Sequence, residues 1–383
     1  MDVKGSCDTR FAGVRDRFQS LFDSGQEIGA AVAIWYQGDL VVNLWGGERD
    51  KAKTQPWTAN TVVNTFSTSK MISALCVQRA VDSGDLDLNR LVKDYWPEYA
   101  CHGKAATKVA WLLNHKAGLP ALRDSVPGDA LFDWEQMCER LAKETPWWQP
   151  GKQHGYHMVT FGWLVGEVFR RALGVTLGEY LAAEIALPNQ LDIFLGLDES
   201  QHLVADLFAA QGKPSDDRIY LFAKVLAEPA GITAKALANP GTLLTSSNKP
   251  QWRAMELPSA NIHSSAESLA RLLGLCLQGD KVISGAAVQR LLTEESVGMD
   301  PVLTTDSRFG PGVMLPISGH PEAGFGKVKT AFGHPGSGGS LAFADPHKQV
   351  AFAYVMNQMG PYLLVDPRPR SLVDAFYRSL VDI

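Results

Sequence analysis

The chain predicts an α+β fold: a mostly antiparallel sheet built from both chain ends, flanked by terminal helices, with a helical region inserted. Three observations carry this. An amphipathic stretch and a hairpin pattern open the chain. Residues from about 88 to 250 run in Leu-, Ala- and Trp-rich helical patterns broken by Pro and Gly. Strand character then returns after residue 327 and gives way to a second amphipathic stretch. Residues 1–88 with 255–383 are expected to form a discontinuous sheet domain, and 89–254 a mostly helical insert lining a cleft.

Residues 8–24 read as a helix, because Phe11, Val14, Phe18, Leu21 and Phe22 share one face. Ala30 to Tyr36 and Leu40 to Trp45 read as strands, joined by the tight turn Gln37-Gly38-Asp39. The next helix carries Ser67 and Lys70, and its apolar face runs through Ile72, Leu75, Cys76 and Ala80 to stop near Ser83-Gly84-Asp85. In the insert, 160–173 and 176–186 are helices, while 200–250 reads as long loops with short helices. Residues 264–278 form a helix with Ser264 or Ser265 as N-cap. Lys327 to Phe332, Ser340 to Ala344 and Val350 to Met356 read as strands, and 369–381 as the closing helix.

The bulk properties exclude several classes of protein. Of the 383 residues, 45% are hydrophobic and 20% charged, which fits a globular chain and not a disordered one. The net charge is −5 and the cations are scattered, so nucleic acid is not an expected partner. No run of about 18 apolar residues is present, so no membrane span is expected. The five cysteines, Cys7, Cys76, Cys101, Cys138 and Cys276, are odd in number and widely spaced. Reduced thiols in a cytoplasmic protein are the simplest account, and the first residues show no secretion signal.

Chemistry concentrates at three places. Ser67-Thr68-Ser69-Lys70 puts a hydroxyl and an amine three residues apart, on one face of a helix. A serine needs a proton acceptor to become a nucleophile, and a lysine whose charge is disfavoured can serve. Alone, the four residues read better as a helix start with a solvated lysine. Tyr156 lies at a loop-to-helix junction, where its phenol can reach a cleft and where a nearby lysine would favour phenolate. The stretch Gly333-His334-Pro335-Gly336-Ser337-Gly338-Gly339-Ser340 joins one expected strand to the next. Its glycines permit close backbone approach to a ligand, and an N–H there with that of Ser67 would make an oxyanion hole.

Together, Ser67-x-x-Lys70, Tyr156 and His334-Pro335-Gly336 resemble the serine β-lactamase/penicillin-binding-protein superfamily, most of all the class C β-lactamase-related esterases known as family VIII carboxylesterases. Trp111 to Pro120, Leu187 to Leu191 and the hairpin from Gly333 to Asn357 match further family segments, in order, between about residues 15 and 380. At Asn189-Gln190 the chain departs from the family's proline-leucine-glycine turn.

The resemblance implies a β-lactamase/penicillin-binding-protein-like fold and a set of roles. Ser67 is the acylated nucleophile, Lys70 shares the proton work, and Tyr156 is the general base that also protonates the leaving group. The N–H groups of Ser67 and Ser337 form the oxyanion hole. No metal and no cofactor are implied, and the expected partner is a small-molecule ester. His154-x-x-His157 has a spacing that zinc ligands could use, but no acidic or thiol cluster accompanies it. His115 is expected to make a structural hydrogen bond.

Two departures bear on substrate. The family's lactamases have tyrosine-x-asparagine and lysine-threonine-glycine, where this chain has Tyr156-His157-Met158 and His334-Pro335-Gly336. Both changes weaken recognition of an anionic, amide-bearing ring and suit a neutral, more apolar ester. His334, Gly336, Met158 and Trp148 are expected substrate contacts, with Trp147 and Trp134 as further candidate walls. A β-lactamase, a D-amino-acid amidase or peptidase, and an acyltransferase remain alternatives.

Overall fold

A computed structural model describes residues 2–211 and 221–381. A nine-stranded antiparallel sheet has the order β1-β3-β2-β12-β11-β10-β9-β8-β7. Its strands are β1 (Lys4–Cys7), β2 (Gly29–Tyr36), β3 (Asp39–Gly47), β7 (Ser296–Asp300), β8 (Thr305–Gly310), β9 (Val313–Met314), β10 (Phe332–Pro335), β11 (Leu341–Asp345) and β12 (Val350–Met356). Three two-residue strands, β4 (Val63–Asn64), β5 (Ile193–Phe194) and β6 (His263–Ser264), form a second small sheet. The helices are α1 (Ala12–Asp23), α2 (Thr68–Asp82), α3 (Val109–Leu113), α4 (Trp134–Lys143), α5 (Thr160–Leu173), α6 (Leu177–Tyr180), α7 (Leu221–Ala227), α8 (Ile232–Ala238), α9 (Pro250–Ala254), α10 (Ala266–Leu277), α11 (Gly285–Leu292) and α12 (Pro367–Ser379).

The sheet is a middle layer, and side-chain alternation explains why. In β12, Val350, Phe352, Tyr354 and Met356 join the core with Phe11, Phe18, Leu372 and Phe376 of the terminal helices. The alternate residues Ala351, Ala353 and Val355 join the core containing Leu269, Leu272 and Leu273 of α10. Small residues on that face let α10 approach closely. A Cβ on Gly274 would come within 2.6 Å of the Trp35 ring. The hairpin between β2 and β3 turns through Gln37 and Gly38, both at positive φ, the conformation a two-residue hairpin loop demands.

Chain ends therefore supply the sheet, as expected. The strands β7, β8 and β9 were not foreseen: in Ser296–Asp300 the apolar Val297 and Met299 face solvent while Ser296 and Asp300 are buried, and Thr305-Asp306-Ser307-Arg308 is polar. The strand expected at 327–332 lies instead at Phe332–Pro335, paired with Ala344 to Leu341. His334 and Pro335 thus end a strand and do not sit in its turn. Pro335 is tolerated there because β9 reaches β10 only at Gly333. Helix 176–186 divides into α6 and a wider π-turn from Leu181 to Ala186. Residues 200–211 and 221–250 do combine loops with the short helices α7 and α8, while 212–220 of that expectation lie outside the described residues. Gln190, at the departure from the family turn, stands at φ 53.

The boundaries at 88/89 and 254/255 we keep as a proposal, since β5 of the insert pairs with β6 beyond it. Among the described residues, no helix is long and apolar enough to cross a membrane. All five cysteines are unpaired.

Candidate active site

The site begins where β4 ends. Thr65 donates its N–H to Ile262 O, and Phe66 takes φ 43, a costly conformation for a non-glycine residue. That reversal starts α2 and presents Ser67 as its N-cap. The Ser67 side chain makes no capping bond, so its hydroxyl is free for chemistry. Ser69 and Ser73 anchor the same turn elsewhere: Ser69 Oγ accepts from Ile262 N, and Ser73 Oγ donates to Pro258 O.

One turn later Lys70 is fully buried. Its Nζ lies 3.1 Å from Ser67 Oγ, 2.7 Å from Met158 O and 3.1 Å from Ser259 O. Burial, with no carboxylate beside it, holds the Lys70 amine well below its ordinary value. Lys70 Nζ donates to both carbonyls and to Ser67 Oγ.

Tyr156 sits between two loops pinned by buried groups. Asp300 accepts the Tyr156 N–H at 2.9 Å and those of Val302 and Leu303 at 2.8 and 3.0 Å. The phenol ring stacks on Phe309 with centroids 5.8 Å apart. Lys70 Nζ lies 4.8 Å from the ring centroid. Burial drives the phenol pKa up, and a hydrogen bond with Ser67 opposes this. Burial thus opposes the phenolate expected from a neighbouring cation.

His334 does not line the cleft. It is 1% exposed and lies beneath Tyr156, with rings 5.8 Å apart. Its Nδ1 donates to Pro335 O, which leaves Nε2 to accept the Tyr156 hydroxyl at 3.4 Å. Burial and the Lys70 amine push its pKa down to about 3, so the ring is neutral. Gly336 is likewise absent from the cleft wall and is required by packing. A Cβ there would come within 2.1 Å of Ser340 Oγ and 2.2 Å of Thr65 O. Ser337 does border the cleft, as does Ser67. Neither backbone N–H has a protein acceptor among the described residues.

The cleft over Ser67 encloses about 360 Å³. Phe66, Met158, Trp252, Leu303, Met359 and Leu363 form much of its wall, and Glu322 is the one charged residue among its described lining residues. Met158 is thus placed as expected, but the tryptophans are not. Trp148 packs behind the site against His157, ring centroids 6.1 Å apart, because Gly155 leaves it room. Trp147 donates its indole N–H to Ala121 O, and Trp134 lies at a different cavity in the insert. Trp252 is the tryptophan that faces the cleft.

His154 and His157 do not converge. His154 Nε2 meets Ser307 Oγ at 3.0 Å, whereas His157 donates from Nδ1 to Gly155 O and accepts Leu119 N–H at Nε2. His115 makes its structural bond by accepting the His157 N–H at 3.2 Å. The Lys70-holding carbonyls of Met158 and Ser259 and the clamp at Asp300 had no sequence signal. A carbonyl belongs to every residue, and a buried aspartate reads like any other.

A strand-to-helix serine, a buried lysine one turn on and a tyrosine across the cleft, on an antiparallel sheet capped by terminal helices, define a serine hydrolase of the β-lactamase/penicillin-binding-protein type. The chain belongs to the Beta-lactamase family, which matches over residues 14–375. It is 31% identical to the esterase/β-lactamase LipL of Mycobacterium tuberculosis over 370 residues, 95% of this chain and 85% of that one. Among solved structures it resembles a penicillin-binding protein homologue from Caulobacter crescentus, with TM-score 0.89, 37% identity and coverage of 99% and 100% of the two chains. It also resembles a family VIII carboxylesterase, with TM-score 0.87, 34% identity and the same coverage.

Proposed function

We propose that the protein is a serine carboxylesterase acting on neutral, small to medium esters through a Ser67 acyl-enzyme. The observation that carries this reading is the cleft lining: apolar, with no cationic side chain among its described residues to receive an anionic ring. Where lactamases of the family hold a lysine, this chain buries a neutral histidine under Tyr156. Met158 offers no amide to hold a substrate amide. The five free thiols suit a reducing, cytoplasmic location.

In this reading Lys70 rests as the free amine and Tyr156 as the phenol. Lys70 accepts the Ser67 proton as Oγ attacks the ester carbonyl. The N–H groups of Ser67 and Ser337 receive the developing oxyanion. The Tyr156 phenol, held by His334, protonates the departing alkoxide and regains a proton from Lys70. Water then enters by the same route in reverse and releases the acid. An alcohol in place of water would make the same acyl-enzyme an acyltransferase.

The test is a substrate panel scored by kcat/KM: p-nitrophenyl acetate and butyrate, a chromogenic cephalosporin and a D-amino-acid anilide. Ester turnover should exceed the other two by orders of magnitude. Rapid cephalosporin turnover without ester turnover would sink the esterase reading. Labelling with a fluorophosphonate should give one adduct, on Ser67, and an adduct on another serine would overturn the site assignment.

A further inference from the structure

We infer that Arg368 is a positioning residue for the oxyanion-hole turn. The inference rests on the reading of Ser337 N–H as an oxyanion donor.

Arg368 lies in the first turn of α12, outside every motif described above, and is 5% exposed. Its Nε donates to Asp366 Oδ1 at 3.1 Å, and Nη2 to Asp366 Oδ2 at 2.9 Å. Nη1 donates to Glu27 Oε1 and Gln358 O, both at 2.8 Å, and to Gln26 O at 3.3 Å. Nη2 also donates to Gly338 O at 2.7 Å. The two carboxylates keep a deeply buried guanidinium charged. The remaining bonds all go to backbone carbonyls of segments that surround the site.

Gly338 directly follows Ser337. Its N–H donates to Tyr362 O, and its carbonyl also accepts from Gly360 N at 2.7 Å. Met359, Gly360, Pro361, Tyr362, Leu363 and Leu364 form one wall of the cleft. One guanidinium therefore ties the Ser337 turn to that wall, through Gly338 O and Gln358 O, and both to the chain entering β2, through Gln26 and Glu27. Only a planar fork of five donors reaches all of these at once, and a lysine ammonium cannot.

The glycines of the turn fit this account. A Cβ on Gly339 would come within 2.7 Å of Arg368 Nη2, and one on Gly360 within 2.2 Å of Asp366 Oδ2 and 2.9 Å of Arg368 Nη2. Both positions are kept bare so that the guanidinium can lie under the turn. The oxyanion forms only in the transition state, so a loosened turn should slow the chemical step and leave substrate binding nearly intact.

The experiment compares wild type with Arg368→Lys, Arg368→Ala and Asp366→Asn. Competent sites are counted by the burst with p-nitrophenyl butyrate, and kcat is expressed per counted site. For Arg368→Lys, kcat should fall about 10- to 100-fold, with KM within about threefold, as expected for a sub-ångström displacement of a catalytic group. The rate of Ser67 phosphorylation by diethyl p-nitrophenyl phosphate should fall in parallel. Guanidinium at millimolar concentration should restore part of the Arg368→Ala rate. Asp366→Asn, which keeps the guanidinium and loosens it, should show a smaller loss of the same kind and serves if the Arg368 variants do not fold. An unchanged kcat per counted site, or a rise in KM alone, would overturn the inference. If the wild type forms no adduct on Ser67, the reading of the site fails and the inference with it. If the wild type reacts and the variants match it, only the inference fails.

Discussion

Lys70 Nζ lies 3.1 Å from Ser67 Oγ, and its two other neighbours are main-chain carbonyls of Met158 and Ser259. Carbonyls can only accept, so Lys70 donates to both. Burial disfavours the charged amine and lowers its pKa.

Lys70→Arg places at this position a guanidinium that does not release its proton. Ester turnover should fall by about 10³ or more, comparable with Lys70→Ala, because each variant lacks the proton acceptor. In the wild type, the acid limb of kcat/KM should lie well below the ordinary lysine value, where the depressed Lys70 amine takes up its proton. A pH profile with its acid limb at the ordinary lysine value would contradict a neutral amine at rest.

Tyr156→Phe keeps the ring stacked on Phe309 and removes only the hydroxyl. A loss of about 10²–10⁴ in kcat for p-nitrophenyl butyrate is expected, with the thermal midpoint nearly unchanged. Full activity in this variant would assign the proton to another group.

Gly336→Ala forces a methyl against Ser340 Oγ and Thr65 O at a join between β10 and the start of α2. The backbone must move to admit it, since Thr65 O is main chain. Activity should drop at least about 100-fold, because Ser67 and Ser337 are carried by the two segments that are pushed apart. The comparison with Gly285→Ala is informative, as a Cβ at Gly285 meets nothing within 4 Å. That variant should match wild type in both activity and melting temperature.

Burial holds His157, His263 and His334 at about 3, whereas unfolded they titrate near 6.5. Between these values the unfolded chain binds protons that the folded chain does not. Their contribution to stability is complete above pH ~6.5 and is lost as pH falls toward 3, at up to about 1.4 kcal/mol per pH unit for each group. Urea midpoints should be flat from pH 7 to 8 and decline steadily below 6.5. His263→Gln should make that decline shallower. A constant midpoint down to pH 4 would show that the three rings are not neutral and buried.

Periodicity made the outer elements legible. The faces of α1, α10 and α12 were readable because each buries one regular stripe, and β2 and β12 because they are apolar runs buried on both faces of the sheet. The strands β7 to β9 were hidden because β9 is only two residues long, β8 is mostly polar, and in β7 the apolar Val297 and Met299 face solvent while Ser296 and Asp300 are buried. The third motif was displaced from strand to turn for a similar reason, since Gly, His and Pro carry poor strand propensity.

The amino-acid sequence by itself determined the chemical groups of the site: a serine and a lysine one helical turn apart, a tyrosine at a helix start, and a glycine-rich edge. Spacing along a helix is a local property, so it survives without tertiary knowledge. Tertiary structure alone decided what those groups are at rest and what surrounds them. It buried Lys70 and lowered its pKa, kept Tyr156 a phenol, turned His334 from a cleft residue into the partner beneath Tyr156, and replaced Trp148 by Trp252 in the wall. Protonation states and cavity walls depend on burial and on backbone groups from distant segments, and neither is written in any single stretch of sequence.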